Sequence, residues 1–341
     1  MIVYKYRLYG FEMEEKMKKK DNGDLMTFRP EIKVVDATIR DGGLVNNFYF
    51  KDEFVKALYQ ANIKAGVDYM EFGYKASKEQ FDVNKFGKWK FCDEEAIRGI
   101  VGDNDSDMKI SVMADVGRCN YKEDILPRSE SVIDLVRVAT YINTMPAALD
   151  MIEDAHNKGY ETTCNIMAIS KAQESDIDKA LDMLGKSCVD GIYIVDSYGS
   201  IYMEQMRILA DKYVEIGERY GKIVGIHAHN NQQLAFANTI ECVEHGVNML
   251  DATMSGMGRG AGNCNMELLL GFLKNPKYDL YPVLKFIEEE MLPLKASGAE
   301  WGFDIPYLLT GRLNEHPRTA IKAVADKTKY TEYYHFLTEQ E

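Results

Sequence analysis

The chain has 341 residues, 46% of them hydrophobic and 28% charged, and its 54 acidic against 41 basic side chains give a formal net charge of −13. An apolar fraction of this size excludes wholesale disorder. The acidity argues against general binding of nucleic acid or of an anionic membrane. The length fits one large domain with an appendage, or two modest domains.

The cysteines and the apolar runs indicate the cellular compartment in which the protein is expected. Six cysteines are scattered without a C-x-x-C pair, which is typical of reduced thiols and not of a disulfide framework or a structural zinc site. No apolar run approaches the roughly 18 residues of a spanning helix, and the N-terminus lacks the apolar core of a secretion signal. We therefore expect a cytoplasmic protein with no membrane partner.

The chain divides into three parts by its pattern. Residues 1–30 form an N-terminal extension that we expect to be poorly ordered, because 16–24 are polar and carry no period. Residues 31–275 alternate between short apolar runs and segments of helical spacing, and 276–341 are helical only. We expect helices at about 279–296, 304–314 and 317–327 in this last region.

The middle region predicts eight strands separated by helices. The candidate strands are 32–38, 67–72, 108–113, 132–139, 162–167, 191–195, 223–229 and 247–253. Clear helices between them are 52–65, 144–158, 174–185, 201–220 and 232–244. Eight βα units in this length match a (β/α)₈ TIM barrel, which typically has about 250 residues. A doubly wound sheet is disfavoured because no Gly-x-Gly-x-x-Gly follows the first strand. The predicted fold is an α/β TIM barrel with a small C-terminal helical appendage.

Two histidines close the seventh candidate strand. His227 and His229 are two residues apart, so both side chains project from the same face. Neutral imidazole is a common ligand of divalent transition metals, although packed histidines at a strand end would give the same pattern. The carboxyl ends of barrel strands carry the catalytic groups in this fold, which favours a metal site.

Asp41 follows the first strand and is the candidate third ligand. Two histidines and one carboxylate leave open coordination positions, as in a catalytic site. A turn residue before Gly42 is the alternative interpretation. The neighbouring Arg40 favours chemistry, since a guanidinium beside a metal could stabilise an enolate or an oxyanion. A glycine-rich loop at 255–263 lets the backbone approach a ligand, but no Gly-Lys-Ser/Thr makes it a phosphate loop.

These motifs resemble the DRE-TIM (HMG-CoA lyase-like) superfamily of metal-dependent aldolases, lyases and acyl transferases. Residues 36–42 (DATIRDG) resemble its D-x-T-L-R-D-G signature, and 227–230 (HAHN) with 256–263 (GMGRGAGN) resemble its second half. The resemblance covers roughly 32–272, and 225–270 is most similar to 4-hydroxy-2-oxovalerate aldolases. It implies carbon–carbon bond making or breaking through a metal-bound enolate of a 2-oxo acid, with pyruvate as the expected product.

The resemblance also implies roles for single residues. Asp41, His227 and His229 would bind a divalent metal, Mn²⁺ for preference and otherwise Mg²⁺ or Zn²⁺. Asn263 would be a further ligand or a close neighbour. Arg40 would steady the enolate oxygen. A strand-two carboxylate, Glu71, would pair with that arginine. Similar proteins are often oligomers, so a homo-oligomer is also an expectation.

The chain departs from the family pattern where the acid/base belongs. Aldolases carry a histidine three residues after the metal aspartate, where this chain has Leu44, and Cys264 falls after Asn263 whereas the lyase cysteine precedes it. Tyr74, Tyr198 or Glu71 could take that role. Two other functions stay open: an acyl-CoA condensing enzyme of the isopropylmalate synthase type, and a barrel that binds metal or ligand without turnover.

Overall fold

Eight parallel strands close into a barrel in the computed structural model of the protein, which describes residues 29–339. Each strand pairs with the next along the chain, and β8 pairs with β1. The strands are β1 (Lys33–Asp36), β2 (Tyr69–Tyr74), β3 (Lys109–Asp115), β4 (Leu135–Tyr141), β5 (Glu161–Met167), β6 (Gly191–Asp196), β7 (Ile223–Ala228) and β8 (Met249–Ala252). The predicted TIM barrel with C-terminal helices is confirmed.

Helices surround the barrel and form the C-terminal region. Those up to β8 are α1 (Thr38–Asn46), α2 (Asp52–Ala65), α3 (Glu94–Val101), α4 (Tyr121–Asp124), α5 (Met145–Asn157), α6 (Glu174–Lys186), α7 (Met203–Tyr220) and α8 (Ala235–Glu244). After β8 follow α9 (Met266–Leu273), α10 (Leu280–Phe286), α11 (Leu292–Ala296), α12 (Ile305–Arg312), α13 (Arg318–Ala325) and α14 (Tyr330–Thr338). No helix between residues 29 and 339 is both long and apolar enough to cross a membrane.

The structure corrects several predicted boundaries. The first strand ends at Asp36 and not at residue 38, because Thr38 already begins α1. The seventh ends at Ala228, and His229 instead makes an isolated antiparallel bridge with Asn263. The predicted helix at 279–296 contains a π-helical segment, Ile287–Met291, between α10 and α11, and α14 was not predicted. Residues 1–28 of the expected extension lie outside the described part.

The inside of the barrel changes from apolar to ionic along the strands. Towards the amino ends of the even-numbered strands the interior layer is apolar and consists of Tyr69, Leu135, Tyr193 and Met249, which form one apolar cluster with Val35 and Val195. Alternate residues of a strand share a face, so the residues two positions after Tyr69, Leu135 and Met249 form the next layer. These residues are Glu71, Arg137 and Asp251, all buried. The barrel therefore presents charges at the carboxyl ends of its strands.

The C-terminal region is hydrogen-bonded to the loops at this same end of the barrel. Trp301 donates from Nε1 to the Ser255 carbonyl after β8 at 3.0 Å. Asn314 donates from Nδ2 to the Ser170 carbonyl after β5 at 2.9 Å and accepts from the Ser200 hydroxyl after β6 at 2.9 Å. The appendage thus lies over the rim that carries the candidate site.

A short hydrogen-bonded chain ties the first strand to the loop after the last one. The Thr38 hydroxyl donates to Asp36 Oδ2 at 2.8 Å and accepts from the Met254 backbone N–H at 2.9 Å. Burial raises the pKa of Asp36 to about 7, although the bonds from Thr38 act in the opposite direction. Thr38 is fully buried, so no solvent could replace these bonds.

We predict that Thr38→Val destabilises the barrel, because it leaves the Met254 N–H and one Asp36 oxygen buried without a partner. Such a loss costs about 1–3 kcal/mol. Urea denaturation followed by circular dichroism should give a lower midpoint for Thr38→Val, whereas Thr38→Ser, which keeps the hydroxyl, should stay close to the parent. Equal midpoints for the valine and serine variants would contradict this role of the hydroxyl.

Candidate active site

Asp41, His227 and His229 come together at the carboxyl end of the barrel. One ligand atom from each of these three residues, here called the metal trio, lies within 4.8 Å of the other two. The imidazole rings are 5.0 Å apart between centroids and nearly perpendicular. All three side chains are buried. A carboxylate and two imidazoles at these separations form a donor set for a divalent transition metal.

Asp41 is delivered by a helix and not by a turn. Gly42 and Gly43 lie inside α1, where side chains would collide with their neighbours. A Cβ at Gly42 would be 2.8 Å from the Met257 sulfur, and one at Gly43 would overlap the Phe48 ring. The glycines therefore allow Met257 and Phe48 to pack directly on the helix backbone, which fixes Asp41 at the rim. The alternative interpretation of Asp41 as a turn residue is wrong.

A set of buried ion pairs supports the metal trio from below. Arg40 donates to Glu71 at 2.8 Å and to Asp41 at 3.0 Å. Arg137 donates to the same Glu71 oxygen at 3.0 Å and to Asp251 at 2.7 Å. We call these two arginines and three carboxylates the ionic network. Each of its arginines is shared between two carboxylates, so the five side chains hold one another in place.

Asp251 also sets the orientation of His227. Its Oδ2 lies 2.9 Å from His227 Nδ1. A carboxylate in this position accepts the Nδ1 proton and leaves Nε2 with the lone pair, as is usual for metal-binding histidines. Arg40 Nη2 lies 3.4 Å from both ring nitrogens of His227, so the guanidinium borders the metal trio.

The electrostatics of the site favour deprotonated ligands. Burial lowers the pKa of His229 to about 3, and the charges of Arg259 and Arg40 act in the same direction. Burial opposes ionisation of Asp41, but His229 and Arg40 outweigh it and hold the pKa of this carboxyl well below its usual range. At neutral pH the metal trio therefore offers a neutral imidazole and a carboxylate, which are the forms that bind metal.

Asn263 completes the donor set in the loop after β8. Its Nδ2 donates to Asp41 and to the Met257 carbonyl. Its Oδ1 is buried and has no hydrogen-bond partner within the described residues. A buried carbonyl oxygen without a partner is costly unless a cation or a donor meets it. The residues present thus fit a divalent cation at this point.

Tyr74, Tyr198 and Leu44 lie at different distances from this centre. Tyr74 is buried beside Arg40, and burial raises the pKa of its hydroxyl. Tyr198 is half-buried and its ring contacts the His316 ring of the appendage, with 5.8 Å between centroids. Leu44 is 36% exposed on α1. Of these three, Tyr74 is the one next to a residue of the ionic network.

The sequence interpretation assigned no role to Arg137 or to Asp251. The signal for Arg137 is a charged residue inside an otherwise apolar strand segment, residues 135–139. An arginine in such a segment must find carboxylates when the strand is buried, because an unpaired buried charge is prohibitively costly. The partners themselves lie 66 and 114 residues away along the chain, so sequence spacing could not name them.

We predict that Gly258→Ala weakens metal binding. An added Cβ would lie 2.5 Å from Asp41 Oδ2 and would overlap Asn263 Nδ2, so it must displace the carboxylate. Isothermal titration with Mn²⁺ should show affinity lower by about tenfold or more. The control is Gly271→Ala on α9, where a Cβ meets nothing within 4 Å. Parent-like Mn²⁺ affinity in Gly258→Ala would contradict the close approach.

We also predict that Asp251→Asn lowers metal affinity although Asp251 is not itself a metal ligand. The amide cannot hold both Arg137 and the His227 Nδ1 proton as a carboxylate does, and loss of such a partner typically costs about 10- to 100-fold. Asp190→Asn is the matched control, since Asp190 binds the Thr162 backbone N–H at the other end of the barrel. Mn²⁺ titration of both variants checks the difference, and equal affinities would refute the orienting role.

Comparisons with known proteins agree with this geometry. The chain is 29% identical over 249 residues to an oxaloacetate decarboxylase of Mycobacterium tuberculosis, which covers 71% of this chain and 69% of that protein. It is 25% identical over 268 residues to a 4-hydroxy-2-oxovalerate aldolase of Bacillus cereus, covering 77% and 76%.

Solved structures give the same picture. The N-terminal domain of an aldolase candidate from Bacteroides vulgatus superposes with a TM-score of 0.72 and 27% identity, covering 86% of this chain and 96% of that one. The HMG-CoA lyase of Bacillus subtilis shares the fold, with a TM-score of 0.62, 15% identity and coverage of 80% and 96%. The sequence profile of the HMGL-like family matches residues 31–286. The resemblance to the DRE-TIM superfamily is thereby confirmed, and the chain belongs to the HMGL-like family of carbon–carbon lyases.

Proposed function

We propose that the protein is a divalent-metal-dependent lyase that makes or breaks the C3–C4 bond of a 2-oxo acid, one carbon removed from its ketone. The reaction is of the 4-hydroxy-2-oxo acid aldolase type, with pyruvate as the product of cleavage. The observation that carries the proposal is the metal trio bordered by Arg40 at the rim of the barrel. Aldolase names among the relatives support it.

Asp41, His227 and His229 would hold the metal, with Asn263 Oδ1 available as a fourth protein donor. A mixed carboxylate and imidazole set suits Mn²⁺, which we propose as the preferred ion over Mg²⁺ or Zn²⁺. Such an ion supplies Lewis acidity toward the ketone oxygen of the substrate.

Arg40 stabilises the negative charge that develops on the enolate oxygen. Its guanidinium is held by Glu71 and Asp41, so it does not need to reorganise when the charge forms. Glu71 is itself held by Arg137. The ionic network therefore acts as a preformed support for one positively charged donor beside the metal.

Tyr74 is the group that we propose as the proton donor. Its hydroxyl is protonated at neutral pH, and its place beside Arg40 would let it deliver a proton to the enolate carbon. Glu71 uses Oε2 for both of its ion pairs, which ties this carboxylate to a structural role. Tyr198 contacts the His316 ring of the appendage, which leaves Tyr74 as the tyrosine beside the ionic network.

Decarboxylation of a 3-carboxylated 2-oxo acid is a second candidate. Aldol cleavage needs a base for the 4-hydroxyl proton, and the family position for that base holds the partly exposed Leu44. Loss of carbon dioxide needs no such base and produces the same enolate. The relative named oxaloacetate decarboxylase supports this alternative.

We predict that the Mn²⁺-loaded protein catalyses exchange of pyruvate methyl protons in D₂O, because both candidate reactions pass through the pyruvate enolate. Mass spectrometry should show deuterium uptake that chelation abolishes and that Asp41→Asn lowers by several orders of magnitude. Asp211→Asn, on the exposed side of α7, is the matched control.

Further substrates separate the alternatives. Pyruvate release from oxaloacetate, but not from 4-hydroxy-2-oxopentanoate, would identify a decarboxylase. Condensation of acetyl-CoA with a 2-oxo acid, without pyruvate exchange, would replace the proposal with an acyl-CoA condensing enzyme. Tight Mn²⁺ binding without turnover of any of these compounds would leave a non-catalytic binding barrel.

A further inference from the structure

Arg259 lies in the loop after β8, directly beside the metal trio. The preceding residue, Gly258, packs against Asp41 and Asn263 so closely that no side chain fits there. Arg259 Nη2 donates to the Ser197 carbonyl after β6 at 3.3 Å. The side chain is half-buried, so its guanidinium sits at the mouth of the site between the loops after β6 and β8.

This guanidinium is short of acceptors. Its Nε is buried and has no hydrogen-bond partner anywhere in residues 29–339. Its Nη1 lies 3.1 Å from His316 Nε2, but His316 Nδ1 is met by the Arg318 backbone N–H, also at 3.1 Å. A neutral imidazole accepts at one nitrogen only, so it cannot satisfy both donors.

Arg259 also differs from the other two arginines of the site. Arg40 and Arg137 each donate to two carboxylates. Arg259 forms no ion pair within the described residues; its recorded contacts are the neutral His316 and the Ser197 carbonyl. A guanidinium with free donors in a partly buried position can donate hydrogen bonds to a carboxylate or a phosphate.

The charge balance points the same way. The ionic network has one more carboxylate than arginines. A divalent cation would turn this excess into one positive charge, which the carboxylate of a 2-oxo acid would neutralise. The charge of Arg259 would then remain without a counter-charge unless the substrate carries a second anionic group.

We propose that Arg259 is a specificity-determining residue that binds a second anionic group of the substrate, remote from its 2-oxo acid end. This inference rests on the proposed function, since it assumes that the 2-oxo acid end meets the metal trio. Arg40 already borders that end. The substrate class is accordingly a 2-oxo acid with an additional carboxylate or phosphate.

Two matched pairs of probes test the inference on the Mn²⁺-loaded full-length protein by isothermal titration. The carboxylate pair is 2-oxoglutarate and 2-oxopentanoate, which differ in their terminal group. The phosphate pair is 2-dehydro-3-deoxy-D-gluconate with and without a 6-phosphate. We expect the member with the second anionic group to bind about 10- to 100-fold more tightly in at least one pair, and the pair that shows this preference identifies the group.

Arg259→Met should remove this preference and leave the affinity for the member without the second anionic group within about twofold. Arg259→Lys, which keeps the charge but not the planar donors, should retain part of it. Arg219→Met is the control, because Arg219 is exposed on α7 and pairs with Glu215. Mn²⁺ titration of each variant verifies an intact metal site, and the lysine variant carries the test if the methionine variant does not fold.

The outcomes separate this inference from the proposed function. If 2-oxopentanoate binds but neither anionic probe is preferred, Arg259 does not select an anion and the inference is overturned alone. A preference that survives in Arg259→Met would likewise overturn the assignment to this residue. If no probe binds the Mn²⁺-loaded protein, the 2-oxo acid proposal fails and takes this inference with it.

Discussion

The ion pairing of Arg137 inside the barrel is the constraint on which the site depends. A buried guanidinium costs several kcal/mol to desolvate, about as much as its partners can return, and only a complete set of carboxylates makes the arrangement tolerable. Arg137 therefore fixes Glu71 on one side and Asp251 on the other. These two carboxylates in turn position Arg40 and His227. The geometry at the rim is thus determined one layer below it.

At two glycines the backbone packs directly against the side chains in and around the ionic network. Gly225 lies against the Tyr193 ring so tightly that any Cβ would overlap it. The Arg137 guanidinium lies over the same ring, 4.4 Å from its centroid. On the rim, Gly258 lets the loop after β8 reach Asp41. Because Gly225 and Gly258 have no side chains, the Tyr193 ring packs directly on the backbone of β7 and the loop after β8 packs directly on Asp41. Aromatic and backbone groups therefore cover the ionic network.

Local patterns in the sequence predicted the barrel, because the alternation of apolar runs with segments of helical spacing depends on neighbours along the chain. The same patterns predicted that Asp41, His227 and His229 lie together at the rim, because the fold dictates which strand ends meet. The helical setting of Asp41 was missed because Gly42 and Gly43 are poor helix formers, and tertiary packing overrides that propensity. Arg137 was missed because its partners are set by contacts between distant strands, which no single-strand pattern encodes.

The seating of the appendage on the loops after β5, β6 and β8 has a thermodynamic consequence. Those loops also flank the metal trio, so their conformation is common to the docked appendage and to the working site. By linkage, if docking of the appendage raises the affinity of the site for a ligand, binding of that ligand stabilises the docked appendage by the same free energy. The C-terminal appendage would then act as an internal ligand that stabilises one conformation of the loops at the mouth of the barrel.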